Sequence, residues 1–218
     1  MSPPTATATR RTAGGTALAR RRQVARRRRR SALGVAVAIA ALVIATMVLP
    51  LVRRVVNDLS LPLSYQDVIR KQAAAKHLDP ALIAAVIYAE TKFDPRPSSA
   101  GAEGLMQILP QTALFLAHRS GATTFHVSDL GTPQVNIAYG SYYLRYLLDE
   151  YHGSRLMAVA AYNGGEANVN QWVARARSAG ARFTIGDIPF PETRAYVQRV
   201  FQAQREYRTT YRTQLGYR

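Results

Sequence analysis

The chain has 218 residues, a formal net charge of +16 and no cysteine. This length allows one compact domain with additional segments, and the lack of cysteine excludes disulfide scaffolding and thiolate metal sites. The charge is uneven, because residues 1–30 contain ten arginines and no acidic residue. Residues 55–218 contain 17 basic residues and all 13 acidic ones, which leaves them a net charge of only +4. The basic character therefore belongs mostly to the N-terminal arm.

The arm is followed by a long uncharged segment. Residues 1–30 are rich in Arg, Ala and Thr, a composition that predicts disorder. Residues 31–52, SALGVAVAIAALVIATMVLPLV, contain no charge, and about 20 apolar residues cross a bilayer as a helix. We therefore predict a transmembrane anchor. A cleaved signal peptide is the main alternative, but its apolar region is about 7–15 residues long and precedes a small-residue cleavage site, which is lacking here.

The arginine run at 20–30 predicts the orientation of this anchor, since short basic flanks stay in the cytoplasm. We expect a single-pass protein of the cell membrane, with a cytoplasmic N-terminus and residues from about 55 onward outside. The run would also suit anionic lipid headgroups. Nucleic-acid binding through phosphate contacts is the alternative. We do not expect it, because the arm lacks aromatic residues that stack on bases.

Helical signals dominate residues 64–210, which we predict to form one mostly α-helical domain after a linker at 53–63 and before a tail at 211–218. Asp79 followed by Pro80 is a typical helix start, with a capping carboxylate and Pro at the first helical position. The predicted helices cover about 65–77 (capped by Ser64), 80–91, 110–119, 133–151, 154–162, 166–178 and 191–208. Runs of alternating apolar residues are too short for a sheet of any size.

Glu90 stands at the end of an apolar stripe in the second predicted helix. Helical spacing places Ile83, Val86, Ile87 and Glu90 on one face. Apolar neighbours raise a carboxyl pKa by desolvation, the negative end of the helix dipole adds to this effect, and the same face offers no basic partner. A carboxylic acid that is protonated near neutral pH suits general acid catalysis. The alternative is an exposed Glu at a frayed helix end.

Three later segments carry side chains suited to binding sugars. The segment SSAGAEGLMQILPQTA (98–113) combines a Gly-containing loop, which lets the backbone approach a ligand, with an adaptable apolar Met. Its Gln offers an amide donor and acceptor for sugar hydroxyls or acetamides. The segments AVAAYNGGEANV (158–169) and PFPETRAYVQRV (189–200) present polar and aromatic residues where one helix ends and another begins.

In order and spacing, ETKFDP, SSAGAEGLMQILPQTA, AYNGGEANV and PETRAYVQRV resemble the catalytic domain of soluble lytic transglycosylases, glycoside hydrolase family 23. This resemblance covers about residues 64–210 and implies a lysozyme-like fold. The sequence departs from the family pattern at Thr91, where Ser is usual. It also departs at Gly164, where Ala is usual, in the loop expected to flank the glycan.

The resemblance implies cleavage of the β-1,4 bond between N-acetylmuramic acid and N-acetylglucosamine in peptidoglycan glycan strands, leaving a 1,6-anhydromuramic end. It implies Glu90 as the catalytic residue, without a metal or cofactor. The four histidines, His77, His118, His126 and His152, show no metal-ligand spacing. The residues that it implies as lining the substrate cleft are Ser99, Met106, Gln107, Tyr162, Asn163, Glu192 and Tyr196.

The reaction is expected to use one carboxylate, whereas ordinary glycosidases use two. Asp94, which precedes Pro95, is interpreted as a turn or cap residue, and Glu103 falls at a variable position of the family pattern. Glu90 would protonate the leaving oxygen and then, as a carboxylate, take the proton of the attacking 6-hydroxyl of the sugar. Lysozyme-type hydrolysis and a non-catalytic cell-wall-binding module are the alternatives.

Overall fold

The structure is a computed structural model that describes Gly34, Ile39, residues 42–44 and 46–48, residues 61–95, Ser98 and residues 101–217. The chain divides into two compact units, Met1–Leu59 and Ser60–Arg218. In the first unit the described residues are helical with exposed side chains. The predicted arm and most of the predicted anchor and linker lie outside the described residues. Within the part that is described, no helix is both long enough and apolar enough to cross a bilayer.

The described residues of the second unit form seven α-helices and no strand beyond one isolated bridge between Glu103 and Ile108. The mostly α-helical prediction is therefore confirmed. Two short 3₁₀ helices, Val127–Gly131 and Ile185–Asp187, lie outside the predicted elements. The α-helices are α1 (Gln66–Lys76), α2 (Pro80–Thr91), α3 (Pro110–Ser120), α4 (Pro133–Glu150), α5 (Arg155–Gly164), α6 (Glu166–Ser178) and α7 (Pro191–Thr210).

Most helix starts follow local capping signals. The Asp79 carboxylate accepts a hydrogen bond from the Ala81 N–H at 3.0 Å, and Pro80 occupies the first turn of α2. Pro also begins α3, α4 and α7, where its missing N–H has no helical partner to lose. The predicted cap at Ser64 is wrong, because α1 follows Tyr65, which has a left-handed φ of 58° and no side-chain cap.

Helix α2 forms the centre of the core. Every residue from Ala81 to Ile87 is buried, so the helix is enclosed on all sides and the predicted single apolar stripe was too narrow. A helix that is apolar all round is typical of such a central position. Its last turn emerges from the core, since Tyr88, Ala89, Glu90 and Thr91 are only partly buried.

Helix α7 packs along α2 more extensively than any other pair of helices in the described residues. Its C-terminal half is tied to the start of the unit, because the Tyr207 hydroxyl donates to the carbonyl of Pro62 and the Tyr211 hydroxyl to that of Leu61. The N-terminal half of α7 runs beside the end of α2. This arrangement brings Tyr196 close to Glu90.

Candidate active site

Glu90 lies at the exit of α2 from the core, on the wall of a cavity of about 430 Å³. Burial in apolar surroundings raises the pKa of its carboxyl from 4.5 to about 7. A group with this pKa is protonated in much of the population at neutral pH, yet ionises readily. The residues that line the cavity are Ala89, Glu90, Thr91, Lys92, Asp94, Ser98 and Gln107.

Three residues of α7, which packs against α2, shift the pKa of the Glu90 carboxyl. Glu192, Tyr196 and Arg199 follow at spacings of four and three, which place them along one face. The Tyr196 phenol and the positive charge of Arg199 lower the pKa of Glu90, whereas the negative charge of Glu192 raises it. The face of α2 that carries Glu90 offers no basic partner, but the folded site has one. It is Arg199, which comes from a distant part of the sequence.

Tyr196 is only 2% exposed, and its hydroxyl has no hydrogen-bond partner of standard geometry among the described residues. Its O–H nevertheless faces Glu90 closely enough to lower the pKa of that carboxyl. The Arg199 guanidinium carbon lies 5.9 Å from the centre of the Tyr196 ring, which is within the range of a cation–π contact. Hydrogen bonds in catalytic sites are often long without substrate and shorten when it binds.

Tyr162, at the end of α5, donates a hydrogen bond from its hydroxyl to the Met106 carbonyl at 2.9 Å. Burial raises the pKa of this hydroxyl well above its ordinary value, and the nearby Glu90 charge adds to the effect. Met106 itself is fully buried, and a Cβ atom at Gly140 would lie 2.4 Å from its sulfur. The Met106 side chain therefore presents no surface to a ligand in this arrangement, and only its backbone contributes to the site.

Asn136 of α4 holds the loop that carries Met106 and Gln107. Its side-chain amide donates to the carbonyls of Glu103 at 2.8 Å and Leu130 at 3.0 Å, and its oxygen accepts from the Met106 N–H at 2.8 Å. It is completely buried. Asn136 is not among the residues predicted from the sequence, although an Asn on the apolar face of α4 is a signal, since buried amides are hydrogen-bonded.

Thr91 fastens the same loop to the end of α2. Its hydroxyl oxygen lies 2.8 Å from the Leu105 carbonyl and 3.2 Å from the Ile87 carbonyl. The hydroxyl retained at this position thus has a structural partner in the loop. At the other departure from the family pattern, a Cβ atom on Gly164 would approach Thr193 to 3.1 Å, which is a tight contact.

The remaining predicted residues differ in position. Gln107 lines the Glu90 cavity with a left-handed φ of 47°, and its amide donates to the Gly104 carbonyl at 2.9 Å. Asn163 and Glu192 are exposed at the ends of their helices. Ser99 lies outside the described residues. Within the described ranges no cluster of His, Asp or Glu has the geometry to hold a metal ion.

The sequence profile of the Transglycosylase SLT domain family matches residues 67–184. This match covers more than half of the chain, and the chain belongs to that family.

Relatives and solved structures agree with this assignment. The soluble lytic murein transglycosylase of Escherichia coli K12 is 33% identical over 152 residues, which are 67% of this chain and 23% of that protein. The membrane-bound lytic murein transglycosylase C of Edwardsiella ictaluri is 29% identical over 66% of this chain and 46% of that protein. The E. coli soluble lytic transglycosylase SLT70 superposes with a TM-score of 0.65 and 31% identity, over 69% of this chain and 25% of that one. The chain thus spans about a quarter of the soluble proteins that it matches.

Proposed function

We propose that the chain is a lytic transglycosylase that cleaves the β-1,4 bond between N-acetylmuramic acid and N-acetylglucosamine in peptidoglycan and leaves a 1,6-anhydromuramic end. The observation that carries this proposal is Glu90, a partly buried carboxyl with a pKa of about 7 on the cavity wall of an SLT-family domain. A solved Pseudomonas aeruginosa relative, 31% identical, is described as an inactive mutant in which Gln replaces Glu.

In the first step, Glu90 gives its proton to the glycosidic oxygen as the bond to the muramic acid carbon breaks. Apolar burial favours the protonated form and so prepares this transfer. The positive charge that develops on the sugar is met by the oxygen of its own acetamide. The leaving N-acetylglucosamine end gains the proton as a hydroxyl group.

In the second step, Glu90 is a carboxylate and takes the proton of the 6-hydroxyl of the same muramic acid. The 6-oxygen then bonds to the anomeric carbon, which closes the anhydro ring and returns Glu90 to its acid form. Tyr196 and Arg199 favour the carboxylate in this step, since both lower the pKa of Glu90. One residue thereby serves as acid and then as base.

Asp94 is the carboxylate that a two-carboxylate hydrolase would use, because it lines the same cavity as Glu90. Its side chain is exposed at the start of a loop, and its N–H bonds the Thr91 carbonyl at 2.9 Å. These features favour a turn residue, because an exposed carboxylate lacks the apolar burial that prepares Glu90. We assign the second carboxylate no catalytic role.

The other residues would bind and orient the glycan. Gln107 lines the cavity, while Tyr162 and Tyr196 lie close to Glu90. Met106 acts through its carbonyl, which fixes the Tyr162 hydroxyl. We keep Ser99, Asn163 and Glu192 as contacts at the edge of the cleft.

We further propose that residues 31–52 anchor the protein in the cell membrane, with the 1–30 arm in the cytoplasm near anionic headgroups and residues 64–210 as the catalytic domain on the cell-wall side. The support is the uncharged 22-residue run and the exposed apolar helical residues Ile39, Leu42, Ile44 and Met47. The name of the Edwardsiella relative, a membrane-bound transglycosylase, agrees with this location. Protease access from each side of sealed membrane vesicles tests it: only the 64–210 domain should be cut from the outer side.

The activity is tested with purified sacculi and full-length chains carrying Glu90→Gln or Asp94→Asn. We expect release of anhydro-muropeptides by the wild type and by Asp94→Asn, and none by Glu90→Gln. Circular dichroism establishes that each variant is folded. Loss of activity in Asp94→Asn together with products ending in reducing sugars would support a two-carboxylate hydrolase instead.

A further inference from the structure

A row of aromatic rings leads away from Glu90 across three helices. The ring centre of Tyr162 lies 5.2 Å from that of Tyr143, which lies 6.2 Å from that of Tyr146, and Tyr146 lies 5.3 Å from Phe115. We call these four residues the aromatic row. All are at least partly exposed, and Phe115 at the far end is 43% exposed. The row therefore continues the active site onto the outer surface of α3 and α4.

A basic residue accompanies the far end of this row. The Arg119 guanidinium carbon lies 5.1 Å from the centre of the Tyr146 ring. Arg119 is exposed, and it forms no ion pair with any residue that the structure describes. A guanidinium stacked on a ring keeps its N–H groups available for a carboxylate. The surface thus offers the exposed Phe115 ring beside a cationic guanidinium group.

Tyr146 is held in place, which makes the surface rigid. Its hydroxyl donates to the Glu166 carboxylate at 3.1 Å, and the two residues join α4 to α6. The ring is also enclosed by Tyr143, Phe115 and Arg119. Rigid aromatic groups bind a ligand at a low cost in side-chain entropy.

We propose that Phe115, Tyr146 and Arg119 form an extended binding surface for the peptidoglycan strand, distant from the bond that Glu90 cleaves. The exposed Phe115 ring would stack against the C–H face of a sugar, Tyr146 would hold Phe115 and Arg119 in place, and Arg119 would pair with a carboxylate of a stem peptide. The proposal rests on the proposed function, because its ligand is the same polymer. Continuity with Tyr162, which adjoins Glu90, favours this ligand over a lipid surface or a protein.

The test measures equilibrium binding of soluble glycan strands to the full-length Glu90→Gln chain, which is expected to bind without cleaving. Strands of many disaccharides are compared with a single disaccharide–peptide unit. Adding Phe115→Ala is expected to weaken binding of long strands about threefold to tenfold more than binding of the single unit, as estimated for the loss of one aromatic contact. Arg119→Gln is expected to reduce the preference for peptide-bearing strands over peptide-free strands.

Leu114 provides the control, since it lies on the same helix as Phe115, is 53% exposed and is not part of the aromatic row. Leu114→Ala is expected to bind long strands like its parent. Equal binding by Phe115→Ala and Leu114→Ala would overturn the proposal. Loss of binding to phosphatidylglycerol vesicles in Phe115→Ala with unchanged strand binding would also overturn it and assign the surface to lipid. A failure of the proposed function appears separately, as absence of products from the wild type.

Discussion

Replacing Glu90 by Gln is expected to stabilise the folded chain above neutral pH and to leave its stability near pH 4 almost unchanged. The reason is that burial raises the pKa of Glu90 from 4.5 to about 7. Ionisation of this group is therefore less favourable in the folded chain than in the unfolded chain. The folded state holds the Glu90 proton more tightly than the unfolded state does. The contribution of this group to the unfolding free energy is therefore fully present below pH 4.5 and is lost as the pH rises towards about 7. Gln has nearly the same shape and never ionises.

The size of this effect follows from the two pKa values. One pKa unit corresponds to about 1.4 kcal/mol, so the difference between 4.5 and about 7 corresponds to about 3 kcal/mol of unfolding free energy. For a domain of this size, about 1 kcal/mol changes Tm by about 2–4 °C. Glu90→Gln is therefore expected to raise Tm by about 6–12 °C at pH 8 and by little at pH 4.

The assay is thermal or urea unfolding of both full-length chains between pH 4 and pH 8, followed by circular dichroism. Asp94→Asn is the control for removing a carboxylate from the same cavity wall, and the pH dependence of Glu90→Gln is compared with it. A difference in unfolding free energy between Glu90→Gln and wild type that stays constant with pH would contradict a raised pKa of Glu90. In that case the Glu90 carboxyl would not be desolvated by the fold.

Three further predictions concern residues around Glu90. Arg199→Gln is expected to raise the pKa of Glu90 and Glu192→Gln to lower it, because their charges act in opposite directions. The alkaline limb of the pH profile of kcat/KM should therefore move to higher pH in Arg199→Gln and to lower pH in Glu192→Gln, and a shift in the same direction for both would contradict this. Asn136→Ala is expected to cost about 2–4 kcal/mol in urea unfolding, since it leaves buried backbone groups without partners; a loss below about 1 kcal/mol would argue against the three hydrogen bonds. Asp79→Ala removes the cap of α2 and the ion-pair partner of Arg208 on α7, so a Tm decrease equivalent to about 2 kcal/mol of unfolding free energy is expected. An unchanged Tm would mean that the cap does not stabilise α2.

Local sequence signals were sufficient for most of the fold. Asp79 and Pro80 determine the start of α2 through a cap and a fixed φ, both of which depend on neighbouring residues alone. The predicted helix at about 80–91 agrees with Pro80–Thr91. The start of α1 was not predictable in the same way, because Tyr65 takes a left-handed conformation without a capping side chain.

The features of the site that could not be predicted from the sequence depend on contacts between distant parts of the chain. Arg199 affects Glu90 because α7 packs along α2, and a helical wheel of α2 cannot include a residue more than one hundred positions away. Asn136 binds a loop some 30 residues earlier. The burial of Met106 depends on Gly140, whose missing side chain leaves room for the thioether. Such pairings require the tertiary structure.

The most direct test of the transglycosylase mechanism is to digest peptidoglycan with the full-length chain in water enriched in heavy oxygen. We expect new anhydro ends without any heavy oxygen, because the 6-hydroxyl of the sugar is the nucleophile, and no new ends with Glu90→Gln. Mass spectrometry of the released muropeptides measures both. Reducing ends that carry one heavy oxygen each would contradict the account and identify the enzyme as a hydrolase.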